Sequence, residues 1–241
     1  MADVSLGVGE GEFVSIVGPT GCGKSTVLNM TAGLIEPSHG NVMIFGEPLR
    51  GLNRSAGYMF QADALMPWMN ALDNVAVGLS YRGVPRAQAR ERAQEWLHRV
   101  GLPVHGDRYP HQMSGGMRKR TALAQTLILD PKILLMDEPF SALDIQTRHL
   151  MENELLNLWN ADRKSVLFIT HDLEEAISLS DRVVLLSAGP AARPIGEFVI
   201  DLPRPRDVAE VRLTPRFVEF HREIWAALKD EVLKGYVQST T

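Results

Sequence analysis

Two apolar patterns alternate along the chain. Residues 12–17, 132–136 and 165–169 are short, almost unbroken apolar runs, as in strands covered on both faces. Residues 41–45, 56–60, 182–186 and 195–200 read as further short strands. Between them lie helix-compatible stretches at 27–32, 71–79, 86–100, a segment through Leu129, 145–160 and 173–179. In 86–100 the apolar residues Ala89, Ala93, Trp96, Leu97 and Val100 recur near a 3.6 period, between Pro85 and the Gly101-Leu102-Pro103 turn. Strands alternating with helices predict an α/β fold with a mainly parallel sheet flanked by helices. Residues 62–129 stand out as a mainly helical insert between core segments 1–61 and 130–200. Leu202-Pro203-Arg204-Pro205-Arg206 breaks the pattern and opens a C-terminal extension, 201–241. It ends in an amphipathic helix over 214–234 through Phe217, Phe220, Ile224, Leu228 and Val232, expected to pack on its own domain.

Composition adds limits. A chain of 241 residues forms one large domain or a domain with a subdomain. A formal net charge of -4 gives no global basic field for nucleic acid, and Arg90-Glu91-Arg92 reads as a solvated helix face. The single cysteine, Cys22, excludes an internal disulfide and fits a reducing compartment. No apolar run approaches the ~18 residues of a membrane span, and the first residues lack the regions of a signal peptide. The expected location is cytoplasmic, with membrane contact through a partner.

Chemistry enters at Gly18-Pro19-Thr20-Gly21-Cys22-Gly23-Lys24-Ser25-Thr26, which fits the phosphate-loop template G-x-x-x-x-G-K-[ST]. An apolar strand precedes it and a helix follows, as the motif requires. Small residues let successive N–H groups converge on phosphate oxygens at a helix N-terminus. Lys24 is expected at the β- and γ-phosphates of ATP, and the Ser25 hydroxyl on Mg²⁺. Cys22, beside Lys24 and a helix N-terminus, is expected to be reactive if solvent reaches it, with bound nucleotide protecting it, the alternative being a buried, inert thiol packed beneath the loop.

Three other places carry candidate chemistry. Ser114-Gly115-Gly116 at a helix start forms a second anion-binding corner, followed by Arg118, Lys119 and Arg120, where the helix dipole disfavours cations. Either a nearby anion explains them or they form a solvated basic turn. Asp137 and Glu138 end a buried strand, where ligands bind in open α/β sheets; Asp137 suits Mg²⁺ and Glu138 can orient or deprotonate a water. His171 ends the next strand, within reach of a phosphate. Gln61, at the end of 56–60, is either a site-edge residue or an ordinary loop residue.

In order and spacing, Gly18 to Ser25, Gln61, Ser114-Gly115-Gly116, 133–138, 141–144 and His171 resemble the ATP-binding cassette ATPases over nearly the whole chain. Leu65-Met66-Pro67-Trp68, 72–75, 137–144, 170–176 and 201–206 are similar to the ATPase subunits of nitrate, sulfonate, taurine and bicarbonate importers. The resemblance implies an ATP-binding domain over 1–225 and a head-to-tail pair of ATPase subunits, with ATP between the P-loop of one and Ser114-Gly115-Gly116 of the other. It implies Glu138 as catalytic base, His171 on the γ-phosphate, and Gln61 on Mg²⁺ or the attacking water, relaying nucleotide state to membrane subunits. Asp144 belongs to the loop that crosses the interface. Implied partners are transmembrane permease subunits and, indirectly, an extracytoplasmic solute-binding protein; the implied place is the cytoplasmic face of the membrane. Two features depart from the family pattern. Met117 replaces the usual Gln, and the only aromatic residue before the P-loop is Phe13, inside the strand, where the family carries an adenine-stacking aromatic further upstream. Alternatives are a cassette ATPase acting on DNA or the ribosome, and a P-loop kinase. The short interval between Gln61 and Ser114, the single cassette, and Ser114-Gly115-Gly116 itself speak against them.

Overall fold

The computed structural model describes residues 2–141 and 143–239, with side chains described as far as Lys234. Its centre is a six-stranded sheet in the order β4-β5-β6-β1-β7-β8. In chain order the strands are β1 (Phe13–Val17), the hairpin β2 (Met43–Ile44) and β3 (Glu47–Pro48), β4 (Ala56–Met59), β5 (Ile133–Asp137), β6 (Ser165–Ile169), β7 (Arg182–Leu186) and β8 (Pro194–Val199). Helices are α1 (Lys24–Thr31), α2 (Ala71–Tyr81), α3 (Arg86–Arg99), α4 (Gly115–Leu127), α5 (Ile145–Ala161), α6 (Leu173–Leu179), α7 (Val208–Val211) and α8 (Pro215–Ser239).

The unbroken apolar runs have a direct cause. Every residue of β1 and β6 is buried, because helices cover both faces of the parallel sheet. β8 pairs antiparallel with β7 at the edge and has no fully buried residue, so it alternates between half-buried and exposed positions. Phe13 lies edge-on to Trp159 of α5, with centroids 5.7 Å apart, and near Phe168 of β6, which places it in the core with no exposed face for stacking.

β4, β5, β6, β1 and β7 run parallel, so their carboxyl ends share one edge of the sheet. That alignment positions the site: Gln61 follows β4, Glu138 follows β5, His171 follows β6 and the P-loop follows β1.

Helices α2, α3 and α4 pack chiefly on one another. Asn70 caps α2 by accepting from Asp73 N at 2.8 Å, and buried Ala89, Ala93 and Leu97 of α3 form the predicted stripe; Trp96 is only partly buried. Arg206, 7% exposed, anchors the segment after β8 by donating to the carbonyls of Leu202, Ile177, Ser178, Ser180 and Ile200. Burial pushes its guanidinium down to about 10, and Arg204 adds to the shift.

Four expectations change. Residues 41–45 do not join the main sheet: only Met43 and Ile44 are extended, Phe45 (φ 51°) and Gly46 (φ 84°) turn the chain into β3, and Met43 and Phe45 stay exposed. α1 starts at Lys24, not after the loop motif. α7 was not foreseen, although Asp207 caps it through Ala209 N and Glu210 N. In α8, Phe217, Phe220, Ile224 and Leu228 are buried on the chain's own core while Val232 is exposed.

Candidate functional site

The P-loop has two conformational requirements that glycine meets. A Cβ on Gly18 would lie 2.9 Å from Leu186 O and 3.0 Å from Cys22 Sγ, so the turn out of β1 has no room for a side chain. Gly23 has φ 103°, in the left-handed region, and caps the start of α1. Thr20, Gly21, Ser25 and Thr26 are exposed, Gly23 is half-buried, and Gly18, Pro19, Cys22 and Lys24 are buried. Lys24 Nζ donates to Gly18 O at 2.8 Å and to Pro19 O at 3.0 Å, so its ammonium is held at the mouth of the loop.

Cys22 overturns the expectation of a reactive thiol. It is 2% exposed and packs in a cluster with Val14, Ile16, Val27 and Leu28, on the inner side of the loop. Its main-chain N–H donates to Pro19 O at 3.3 Å. An alkylating reagent has no route to this sulfur in the folded chain, so the inert thiol beneath the loop is the observed arrangement.

Beside the loop, three side chains from three strand ends meet at one oxygen. Gln61 Nε2 donates to Glu138 Oε2 at 3.2 Å, and His171 Nδ1 lies 3.1 Å from the same oxygen. Gln61 is thus joined to Glu138 across the sheet edge. Glu138 has φ 43°, a conformation that costs a non-glycine residue about 1–2 kcal/mol. The surroundings hold it there: Glu138 N donates to Ile169 O at 2.9 Å, and Ser141 Oγ donates to Glu138 O at 3.0 Å. The strained residue sits in the step from β5 into the following turn and carries the carboxylate to Gln61 and His171.

Asp137, one residue earlier, ends β5. Burial raises its carboxyl above the usual range; the Ser25 hydroxyl bonded to it opposes the shift, Glu138 adds to it, and Lys24 opposes it. A half-buried carboxylate beside a second carboxylate, with a serine hydroxyl on it, is a donor set that fits a hard divalent cation.

Ser114 caps α4 by accepting from Met117 N at 3.3 Å, and a Cβ on Gly116 would meet Thr147 Cγ2 of α5 at 2.8 Å. Among the described residues, no hydrogen bond links 114–116 to the P-loop residues 18–26. The cations behind this corner have an anion that the sequence pattern did not reveal. Asp63 accepts from Arg118 Nε at 2.8 Å and lies 3.3 Å from Lys119 Nζ, and Lys119 also donates to Gln61 O at 2.5 Å. Arg118 Nη1 reaches back to Met113 O at 2.9 Å, so one clasp joins the Gln61 segment to the turn before Ser114. Asp144 caps α5 through Thr147 N at 3.0 Å and is exposed; that N–H holds its carboxyl below the usual range. Ala142 lies outside the described residues.

Comparison with known proteins agrees with this geometry. The ABC transporter family profile matches residues 1–141. An uncharacterised ABC transporter ATP-binding protein of Methanocaldococcus jannaschii is 47% identical over 97% of this chain and 85% of its own length. The taurine import ATP-binding protein TauB of Pseudomonas aeruginosa is 44% identical over 97% of this chain and 88% of its own. Among solved structures, a dimeric ATP-binding cassette in a post-hydrolysis state, bound to ADP and Pi, superimposes with a TM-score of 0.73. It is 33% identical and covers 83% of this chain and 90% of its own. With a P-loop, an adjacent carboxylate pair and a helix-capping Ser-Gly-Gly corner on a shared fold, the chain belongs to the ABC transporter family of ATPases.

Proposed function

We propose that the chain is the ATP-hydrolysing subunit of a membrane importer for a small anion such as taurine, another sulfonate or nitrate. The observation that carries the mechanism is the convergence of Gln61 and His171 on Glu138 Oε2 at the sheet edge that bears the P-loop. The importer reading is supported by the 44% identity to a taurine import ATP-binding protein. The division into a core of 1–61 and 130–200, a helical subdomain of 62–129 and a C-terminal extension of 201–241 belongs to the same proposal.

In this reading the N–H groups of 18–26 and the Lys24 ammonium bind the phosphates of ATP. Ser25, Asp137 and Gln61 would hold Mg²⁺, which would supply charge neutralisation for the phosphates. Glu138 takes the proton of the attacking water, and the Gln61 hydrogen bond on its Oε2, with His171 beside it, fixes the carboxylate for that transfer. His171 senses the γ-phosphate. Ser114, Gly115 and Gly116 serve the nucleotide of a second copy, since within one chain they make no hydrogen bond to the P-loop among the described residues. Permease subunits place the pair at the cytoplasmic face of the membrane, and a solute-binding protein delivers the anion to them.

The test is purification of the tagged chain from detergent-solubilised source membranes. It is expected to retain a multi-spanning membrane protein, and the complex's ATPase rate is expected to rise with a sulfonate-loaded binding protein. Recovery with ribosomes or DNA, and no membrane protein, would contradict the reading.

A further inference from the structure

The apolar face of α8 packs chiefly on α6 and on β8, in the cluster that underlies the end of β1. Phe217, Phe220, Ile224 and Leu228 are buried in one cluster with Val17, the residue before Gly18, and with Val183 and Leu185 of β7. Beyond Leu228 the helix continues past this cover: Val232 and Leu233 are exposed, so apolar burial does not explain the added turn. That turn touches the segment between β7 and β8.

Residues 187–193 form a closed loop, with Ser187 N donating to Arg193 O at 2.9 Å and Arg193 N to Ser187 Oγ at 3.1 Å. One side of the loop leans on the P-loop. A Cβ on Gly189 would lie 3.4 Å from Gly21 O and 3.7 Å from Cys22 Cα, and Ala192 is buried in the cluster that holds Cys22. The other side is tied to the helix, where Ala188 N donates to Glu231 Oε2 at 2.8 Å. Glu231 Oε1 accepts from Lys234 Nζ at 2.5 Å. The Lys234 bond and then the Ala188 N–H keep the Glu231 carboxyl below its usual range, with the Lys234 and Arg193 charges acting in the same direction. A carboxylate on a main-chain N–H is a charge-assisted bond, about twice the strength of a neutral one.

We propose that α8 braces the P-loop and that Glu231 is the positioning residue, holding 187–193 against Gly21 and Cys22 through Ala188. The brace acts on ATP binding and not on the chemical step, because Glu138, Gln61 and His171 hang from other strands. Phosphate recognition by converging N–H groups depends on loop geometry, so a relaxed loop loses affinity while bound ATP still meets an intact base.

The experiment measures the affinity of the full chain for a fluorescent ATP analogue, and KM and kcat in the assembled complex, for Glu231→Ala, Glu231→Gln and Glu223→Ala. Glu223 is an exposed residue of the same helix and serves as the control. Glu231→Ala is expected to raise Kd and KM about threefold to tenfold with kcat within about twofold and an unchanged melting temperature. Glu231→Gln keeps an acceptor oxygen and is expected to fall between Glu231→Ala and wild type. Wild-type affinity in Glu231→Ala overturns the proposal, as does an affinity loss that Glu223→Ala shares and that tracks a lowered melting temperature. The proposal rests on ATP binding at this loop, which the wild-type titration checks separately.

Discussion

Glu138→Gln is expected to lower ATP turnover by about 10²- to 10⁴-fold while leaving ATP affinity at the wild-type level. Glutamine has the same shape, and its carbonyl oxygen can still accept from Gln61 Nε2, 3.2 Å from Glu138 Oε2, with His171 Nδ1 at 3.1 Å from the same oxygen. The constellation therefore survives, but a neutral amide does not take a proton from water. Lys24, Ser25 and Asp137 are untouched, so phosphate and cation binding persist. The variant is expected to accumulate as an ATP-bound dimer, seen as ATP-dependent doubling of mass. Wild-type turnover in the assembled complex would remove Glu138 from the chemistry.

Lys24→Ala is expected to act one step earlier, weakening ATP binding by about tenfold to a hundredfold. Its ammonium is nearly buried and donates to Gly18 O and Pro19 O within the loop. A cation kept there with few water contacts gains strongly from an anionic phosphate. Alanine removes that charge and leaves the loop's glycines in place, so the fold is expected to persist while Kd rises. Direct titration of the purified chain separates this from a purely kinetic defect. Unchanged affinity would count against the P-loop assignment.

What the sequence reveals and what it hides divide along physical lines. β6, α6 and β7 have the bounds that the pattern predicts, because a parallel sheet covered on both faces leaves unbroken apolar runs. The placement of Gln61, Glu138 and His171 at one edge follows from parallel strands, since each residue ends its own run. Exposed elements leave no such trace: the β2–β3 hairpin buries too little side chain to imprint a pattern. Long-range pairing is hidden as well. Asp63 meets Arg118 across 55 residues, and nothing local to either marks the partner. The orientation of Cys22 depends on close packing around Gly18 and Leu186, which the loop motif does not carry, so the sequence leaves the reactive and the packed thiol as alternatives. Ser114 was legible as a helix cap, but the clasp that ties its turn to Gln61 was not.

On the proposed reading, ATP is hydrolysed between the P-loop of one subunit and the Ser114-Gly115-Gly116 corner of another. Thr20 and Ser114 are both exposed, and Cys22→Ser removes the native thiol, so each position can carry a lone cysteine. The measurement treats Thr20→Cys and Ser114→Cys subunits, both in a Cys22→Ser, Glu138→Gln background, with a short bismaleimide and MgATP, separately and mixed. Head-to-tail pairing predicts a cross-linked dimer in the mixture alone and only when ATP is present. Cross-linked dimers in either variant by itself, or a mixture that stays monomeric with ATP bound, would contradict it.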